Sequence, residues 1–420
     1  MTPRQLTIEK LGGRGEGVAS GPDGPIFIPY SLASETVLAE VEGRRGTLLE
    51  VLTASEARIA PFCRYFSRCG GCAVQTLRWD LYVQWKRDLV TSALRRAKLS
   101  PPVLKLADAH GAGRRRATFH ARHQAGRVKV GFSRARSHDI VEMEDCPVLA
   151  PSMATALPAA RALASVLVEA SKPLDILATA TACGLDIDLR GHGPLSELET
   201  QKLIEAAVEH DIARLSNHGM NVVTRRAPLL AMGRAMLIPP PGAFLQATMA
   251  AEELLAAKVR AHAGGADPIA DLFSGVGTFA LRLAADARVD AFDISKDALG
   301  ALARAARKAQ LRAKVFERDL FVRPLCPAEL VPYRAAVFDP PRAGAVAQAK
   351  ALAASRVPRI IAVSCNPETF ARDGAILCAG GYHLDFVEPI DQFRATPHVE
   401  IVALFRRDEK QPRRNRRLLS

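Results

Sequence analysis

The chain has 420 residues, 48% of them hydrophobic and 24% charged, which suits a soluble globular protein of roughly two to three domains and excludes a disordered or collagen-like one. Lys and Arg number 57 against 44 Asp and Glu, a formal net charge of +13, and such a surplus favours a polyanionic partner, nucleic acid first. No apolar run reaches the ~18 residues of a membrane span, and Met1–Lys10 lacks the apolar core of a signal peptide. A cytoplasmic protein without a membrane partner is therefore expected. In that compartment the bunched Cys63, Cys69 and Cys72 point to metal binding or catalysis rather than disulfides.

Residues from about 4 to 55 read as β. Short apolar runs (Leu6–Ile8, Pro25–Pro29, Thr36–Val41, Gly46–Leu52) alternate with Gly-rich turns, the pattern of a small barrel, and small five-stranded barrels commonly bind oligonucleotides. After the cysteines, Trp79, Tyr82, Trp85, Leu89, Ala93 and Leu94 recur at helical spacing and predict a helix over 77–97, stopped by Pro101-Pro102. A mixed α+β region follows. Arg114-Arg115-Arg116 leads into a strand to Arg122, a turn at Gly126 precedes a strand over Val128–Ser133, and helices are expected over Ala154–Glu169 and Ser196–Glu209. From about Ile269 the texture becomes strand, Gly-rich turn, helix, strand, which predicts an α/β layer with a largely parallel sheet. The Arg-rich 409–420 segment reads as a basic tail.

Asp271 ends an apolar strand just before Phe273-Ser274-Gly275-Val276-Gly277. Glycines let the backbone turn and approach a ligand closely, but the third glycine of a pyrophosphate fingerprint is missing. The next strand ends in Asp293, where a carboxylate can accept hydrogen bonds from ribose hydroxyls. Together these features resemble the S-adenosylmethionine site of class I methyltransferases more than a dinucleotide site. A further strand delivers Asp339-Pro340-Pro341-Arg342, a signature similar to that of base-modifying methyltransferases. Another ends in Ser364-Cys365-Asn366-Pro367, which sets a cysteine beside the same crevice. Glu400 interrupts an apolar strand. Burial would raise its pKa towards that of a general base, and pairing with an Arg is the structural alternative.

These pieces fit one chemistry. C5 of uracil is too poor a nucleophile to take a methyl group from a sulfonium unless a thiolate first adds to C6, and a base must then remove the C5 proton. In the motifs Cys63-x5-Cys69-Gly-Gly-Cys72 with Cys146-Pro147, Asp271–Gly277, Asp339–Arg342, Ser364–Pro367 and Pro397–Glu400, the chain resembles the uracil-C5 RNA methyltransferase family, in its iron–sulfur ribosomal branch. The resemblance implies an α/β fold: a Rossmann-like class I methyltransferase domain (246–408), an N-terminal TRAM/OB-like barrel (1–58) and a mixed α+β domain (59–245), whose helix over 77–98 packs on the catalytic domain. It implies Cys365 as nucleophile, Glu400 as base, and Asp339 holding the target base. Gln246, Asp271, Phe273, Gly275, Gly277, Asp293 and Asp339 would bind S-adenosylmethionine, and Phe244 would lie near the flipped base. Cys63, Cys69, Cys72 and Cys146 would carry a [4Fe–4S] cluster, with a zinc ion held by the same four thiolates as the alternative.

The chain departs from the family pattern at Thr248, Ser274 and Ala395-Thr396-Pro397-His398. Phosphate contacts are expected from Arg114, Arg115, Arg116 and Arg122, against a salt-bridged strand edge as the plain reading. The expected substrate is 23S rRNA, acted on by a monomer. Transfer RNA, cytosine-C5 methylation and a non-enzymatic iron–sulfur RNA-binding protein are the competing readings, and the absence of a Cys after the third-strand Pro counts against cytosine.

Overall fold

The computed structural model describes residues 3–124, 126–167 and 172–407. The expected basic tail, 409–420, and the last residues of the helix expected to end at Glu169 lie outside them. Six short strands come first: β1 (Arg4–Thr7), β2 (Lys10–Leu11), β3 (Glu16–Ala19), β4 (Ile26–Pro29), β5 (Thr36–Glu42) and β6 (Arg45–Thr53). They form a sheet ordered β1-β5-β6-β4-β3-β2. Its two edge strands are joined only by Ile8 and Glu9, so the edges lie within two residues' reach and the sheet curls towards closure. Ile8, Ile26, Ile28 and Val37 fill its inside. Gly17 is required there, because a Cβ would sit 2.1 Å from Ser31 Oγ.

Helix α1 (Trp79–Arg96) buries Tyr82, Trp85, Ala93 and Leu94, as its spacing predicts, and Val90 as well, while Leu89 is partly buried and Trp79 stays on the surface. Lys86, four residues after Tyr82, shares the buried face. A two-residue strand, β7 (Ala107–Asp108), follows. The second sheet uses β8 (Arg116–Gln124), β9 (Arg127–Ser133), β10 (Ile140–Glu142), β11 (Leu174–Thr181), β12 (Gly184–Arg190), β13 (Ile212–Asn217) and β14 (Met220–Thr224), in the order β10-β9-β8-β11-β12-β13-β14. It is covered by α2 (Ala156–Leu167) and α3 (Glu197–Glu209). Ser196 and Glu199 start α3 with reciprocal side-chain to backbone hydrogen bonds. A hairpin, β15 (Leu230–Met232) and β16 (Ala235–Leu237), leads out.

The third layer runs α4 (Met249–Ala263), β17 (Ile269–Leu272), α5 (Ala280–Leu283), β18 (Val289–Asp293), α6 (Lys296–Lys308), β19 (Ala313–Glu317), β20 (Ala335–Phe338), α7 (Val346–Ala354), β21 (Arg359–Ser364), α8 (Pro367–Ala379), β22 (His383–Asp391) and β23 (Glu400–Arg406). The sheet order is β19-β18-β17-β20-β21-β23-β22-β7, and β23 runs antiparallel to both its neighbours. Strand order reverses between β17 and β20, which opens a ligand crevice at the carboxyl ends of these strands. Two contributions come from far upstream: β7 extends the sheet edge beside β22, and Val90, Ala93 and Leu94 of α1 join the core under α8. No helix among the described residues is long and apolar enough to cross a membrane.

Candidate active site

Strand register assembles the site. Leu272 pairs with Phe338 and with Phe292, so Phe273, Asp339 and Asp293 emerge side by side from neighbouring parallel strands. Ser364 pairs with Ile401 across the antiparallel β21–β23 ladder, so Cys365 and Glu400 form the next pair out. Residues facing each other in such a ladder have Cα atoms about 4.5–5.5 Å apart. The turn after Cys365 is fixed by Asn366, whose side chain caps α8 and donates to Arg342 O at 3.1 Å. The Asp-Pro-Pro-Arg loop and the cysteine turn are thereby tied together.

The loop after β17 turns tightly. Phe273 and Gly275 have φ of 65° and 53° and Gly277 has φ of 94°, and the Gly275 N–H donates to Asp293 Oδ2 at 2.9 Å. A non-glycine residue in this left-handed region is strained, and such strain gathers at functional sites. Behind the loop, Asp271 is fully buried and neither of its oxygens has a hydrogen-bond partner. Burial, then the neighbouring Asp339, pushes it up to about 8.

The other acids behave alike. Asp339 is raised to about 7 by burial. Glu400, 4% exposed, is raised to about 8 by burial and then by Asp339, with Gln392 and Lys86 pulling the other way. Burial, Glu400 and Asp339 push the Cys365 thiol up to about 11, while Arg342 opposes them. Carboxylates predominate around this thiol, with Arg342 and Lys86 the cations that oppose them. A ligand bearing an ammonium and a sulfonium would pair Asp271, lower all four groups and favour the thiolate. The residues present therefore fit S-adenosylmethionine.

Gln246 is buried. Its Oε1 accepts from Gln392 Nε2 at 2.6 Å, and the same nitrogen donates to Glu400 Oε1 at 2.9 Å. Gln392 Oε1 accepts from Ala247 N at 2.8 Å. Gln392 thus couples the expected cofactor residue to the expected base. Sequence reasoning misses it, since nothing local marks a glutamine whose partner is 146 residues away. Thr248, where the family pattern differs, caps α4 by accepting from Ala251 N. Cys365, Arg342 and His398 face Arg14 and Trp85 across a cleft of about 470 Å³.

The four cysteines Cys63, Cys69, Cys72 and Cys146 line one cavity of about 380 Å³ together with Phe244, Gln246, Arg114, Arg116 and Phe393. Tyr65 N and Gly71 N donate to the sulfurs of Cys63 and Cys69, each at 3.4 Å. Among the described residues no three His, Cys, Asp or Glu side chains converge closely enough to hold a single metal ion. Phe244 is 73% exposed, with the Arg116 guanidinium 5.9 Å from its ring. Arg114 stacks over Phe393, and Arg122 is half-buried opposite Lys129. Arg115 departs from expectation: it is buried and ion-paired with Glu252, whose other oxygen pairs with Arg282. Its charge is spent inside the protein, where no phosphate reaches, so it joins the second sheet to α4.

Residues 325–408 match the family model described as tRNA (Uracil-5-)-methyltransferase. An uncharacterised RNA methyltransferase of Brucella suis is 45% identical, over 95% of this chain and 97% of its own length. The 23S rRNA (uracil(1939)-C(5))-methyltransferase RlmD of Pseudomonas savastanoi is 34% identical, over 96% and 93%. In solved structures, the Pyrococcus abyssi tRNA (uracil-54, C5)-methyltransferase in complex with S-adenosyl-L-homocysteine superposes with a TM-score of 0.73 at 22% identity, covering 96% of this chain and all of that one; this shared fold carries the class I α/β architecture. A crevice suited to a cationic methyl donor and relatives matched along nearly their whole length agree: the chain belongs to the S-adenosylmethionine-dependent uracil-C5 RNA methyltransferases.

Proposed function

We propose that this protein methylates C5 of a uridine in 23S ribosomal RNA through a covalent adduct at Cys365. The observation that carries this reading is the pairing of Ser364 with Ile401, which sets a thiol and a buried carboxylate side by side at the mouth of the cofactor crevice. Bound S-adenosylmethionine supplies the methyl group. The Cys365 thiolate attacks C6 of the extruded uracil, forming an S–C6 bond and leaving C5 electron-rich enough to accept the methyl. Glu400 then takes the C5 proton, the electron pair restores the C5–C6 double bond, and the thiolate leaves. Gln392 keeps the carboxylate aimed, and Asp339 holds the base. Gln246, Asp271, Phe273, the Gly275–Gly277 loop and Asp293 hold the donor.

The cleft bordered by Arg14 and Arg342 suits the phosphates flanking an extruded nucleotide. Phe244 offers a stacking face for a base, and Arg114, Arg116 and Arg122 are the remaining candidates for backbone contacts. Three units divide the work: the barrel and the 59–245 region for RNA, and 246–408 for chemistry. The whole site comes from one chain, which fits a monomer acting on RNA in the cytoplasm. Cys63, Cys69, Cys72 and Cys146 would hold a [4Fe–4S] cluster. The cavity that all four line supports this reading, with a zinc ion held by the same thiolates as the alternative. Such a cluster would brace the fold without a redox step.

The ribosomal assignment rests on the full-length RlmD relative. Mapping 5-methyluridine in a strain lacking the gene tests it. Loss from 23S rRNA, restored by the wild-type gene, is expected. Loss confined to tRNA would replace the substrate, and no loss in either would refute the activity.

A further inference from the structure

Residues 391–399 form a strap that leaves the end of β22 and returns to the sheet at Glu400. One buried side chain holds both of its ends. Lys86 Nζ donates to Asp391 Oδ1 at 2.9 Å, to Phe393 O at 3.3 Å and to His398 O. An ammonium has three protons to donate, and this one has an acceptor for each. Both Lys86 and Asp391 have side chains with no exposed surface. Tyr82, one helical turn earlier, donates to Asp391 Oδ2 at 2.7 Å and accepts from Ala395 N at 3.0 Å.

A buried ion pair adds little stability over well-packed apolar side chains, and its attested use is to fix one arrangement among several. The arrangement fixed here is local. Gln392 adjoins Asp391 at one end of the strap, Glu400 lies two residues beyond His398 at the other, and the two side chains meet at 2.9 Å. A slip of the strap at either end would separate them.

We infer that Lys86, assisted by Tyr82, is a positioning residue for the Glu400 base: it clamps the strap so that Gln392 and Glu400 stay in register with the uracil C5 proton. This rests on the proposed role of Glu400 and adds a residue from the far side of the chain, 305 positions from Asp391.

Single-turnover methylation of substrate RNA, with the protein–RNA adduct followed on denaturing gels, tests the clamp. In Lys86→Met, adduct formation should stay near the wild-type rate, with release about 100-fold slower, as a misplacement of order 1 Å would give, and KM for RNA should move by less than about threefold. Tyr82→Phe, which loses only a hydroxyl, should slow release about fivefold. Release at the wild-type rate in a folded variant, judged by circular dichroism and thermal melting, would overturn the clamp. So would formation and release falling together, the mark of a general loss of structure. If Lys86→Met does not fold, Tyr82→Phe decides. A wild-type enzyme that methylates RNA without forming any adduct would instead strike at the covalent mechanism, a separate failure.

Discussion

Two sulfur-bearing regions of this molecule look alike by composition and differ in surroundings. Cys365 stands among carboxylates, and its raised pKa owes to named anions, Glu400 and Asp339, as well as to burial. Cys146, pushed up to about 12, is raised by burial and then by the neighbouring thiols. The first region gathers carboxylates around its thiol, with Arg342 opposing them, and a cationic ligand there would favour the thiolate. The second has Arg114 and Arg116 at its rim and four cysteines lining one cavity, the set proposed above to hold a cluster. A cysteine's chemistry is decided by what sits beside it, not by its being buried.

Removing each sulfur should therefore break different things. Cys365→Ala should cut turnover by at least ~10⁴-fold while RNA affinity in a filter-binding assay holds. Substantial methylation by this variant would end the nucleophile assignment. Glu400→Gln should cost ~10²–10⁴-fold and accumulate adduct on denaturing gels, because the thiolate cannot leave until the C5 proton has gone. Cys69→Ser should lose iron and its visible absorption, with a milder, ~10–100-fold, loss of activity, and should still form the Cys365 adduct. If Cys69→Ser matched Cys365→Ala in abolishing the adduct, the distinction between a holding and a reacting centre would fail.

The pH dependence follows from the same contrast. Glu400 is competent only when ionised, and burial and Asp339 raise it to about 8. Release from a preformed adduct should rise up to tenfold per pH unit until Glu400 is ionised, at or below about 8 because the bound ligand's positive charge lowers it, then level off, and Glu400→Gln should lack this limb. The stability effect runs the other way. A raised acid is held neutral by the fold, so its favourable contribution is present below its unfolded value, near 4.5, and is lost as pH rises through about 8. Thermal melting between pH 5 and 8 should fall less in Glu400→Gln than in wild type.

Much of this site could be read from sequence because strand ends announce themselves. Asp339 and Cys365 each close an apolar run, Asp271 lies one residue inside the end of another, and parallel β–α connections bring such ends together. Glu400 was readable as a charge in an apolar strand. Gln392, Asp391 and Lys86 were not, because their meaning lies in partners 146 to 305 residues away. Lys86 carries one faint signal: it falls four residues after Tyr82, on the buried face of α1. The two-residue strand β7 is too short for any periodicity, and its place in the catalytic sheet comes from pairing with Ile390 and Asp391. Arg115 shows the limit most plainly: Arg114-Arg115-Arg116 reads as one basic cluster, but Arg115, in the bend before β8, turns inward to an ion pair with Glu252, 137 residues away.

That divergence between neighbouring arginines yields the smallest predicted effect. Arg116 reaches the rim of the cysteine cavity and lies over the exposed Phe244, whereas Arg115 points inward to Glu252. If Arg116 neutralises a phosphate, Arg116→Ala should weaken RNA binding only a few-fold at moderate salt and reduce the salt slope of log affinity by about 1, because one fewer counterion is released. Arg115→Ala should leave that slope unchanged and instead lower the melting temperature, because Glu252 loses one of its two buried guanidinium partners. Equal salt slopes for Arg116→Ala and wild type would remove Arg116 from the RNA interface, and the positive rim of the cysteine cavity would then serve the thiols alone.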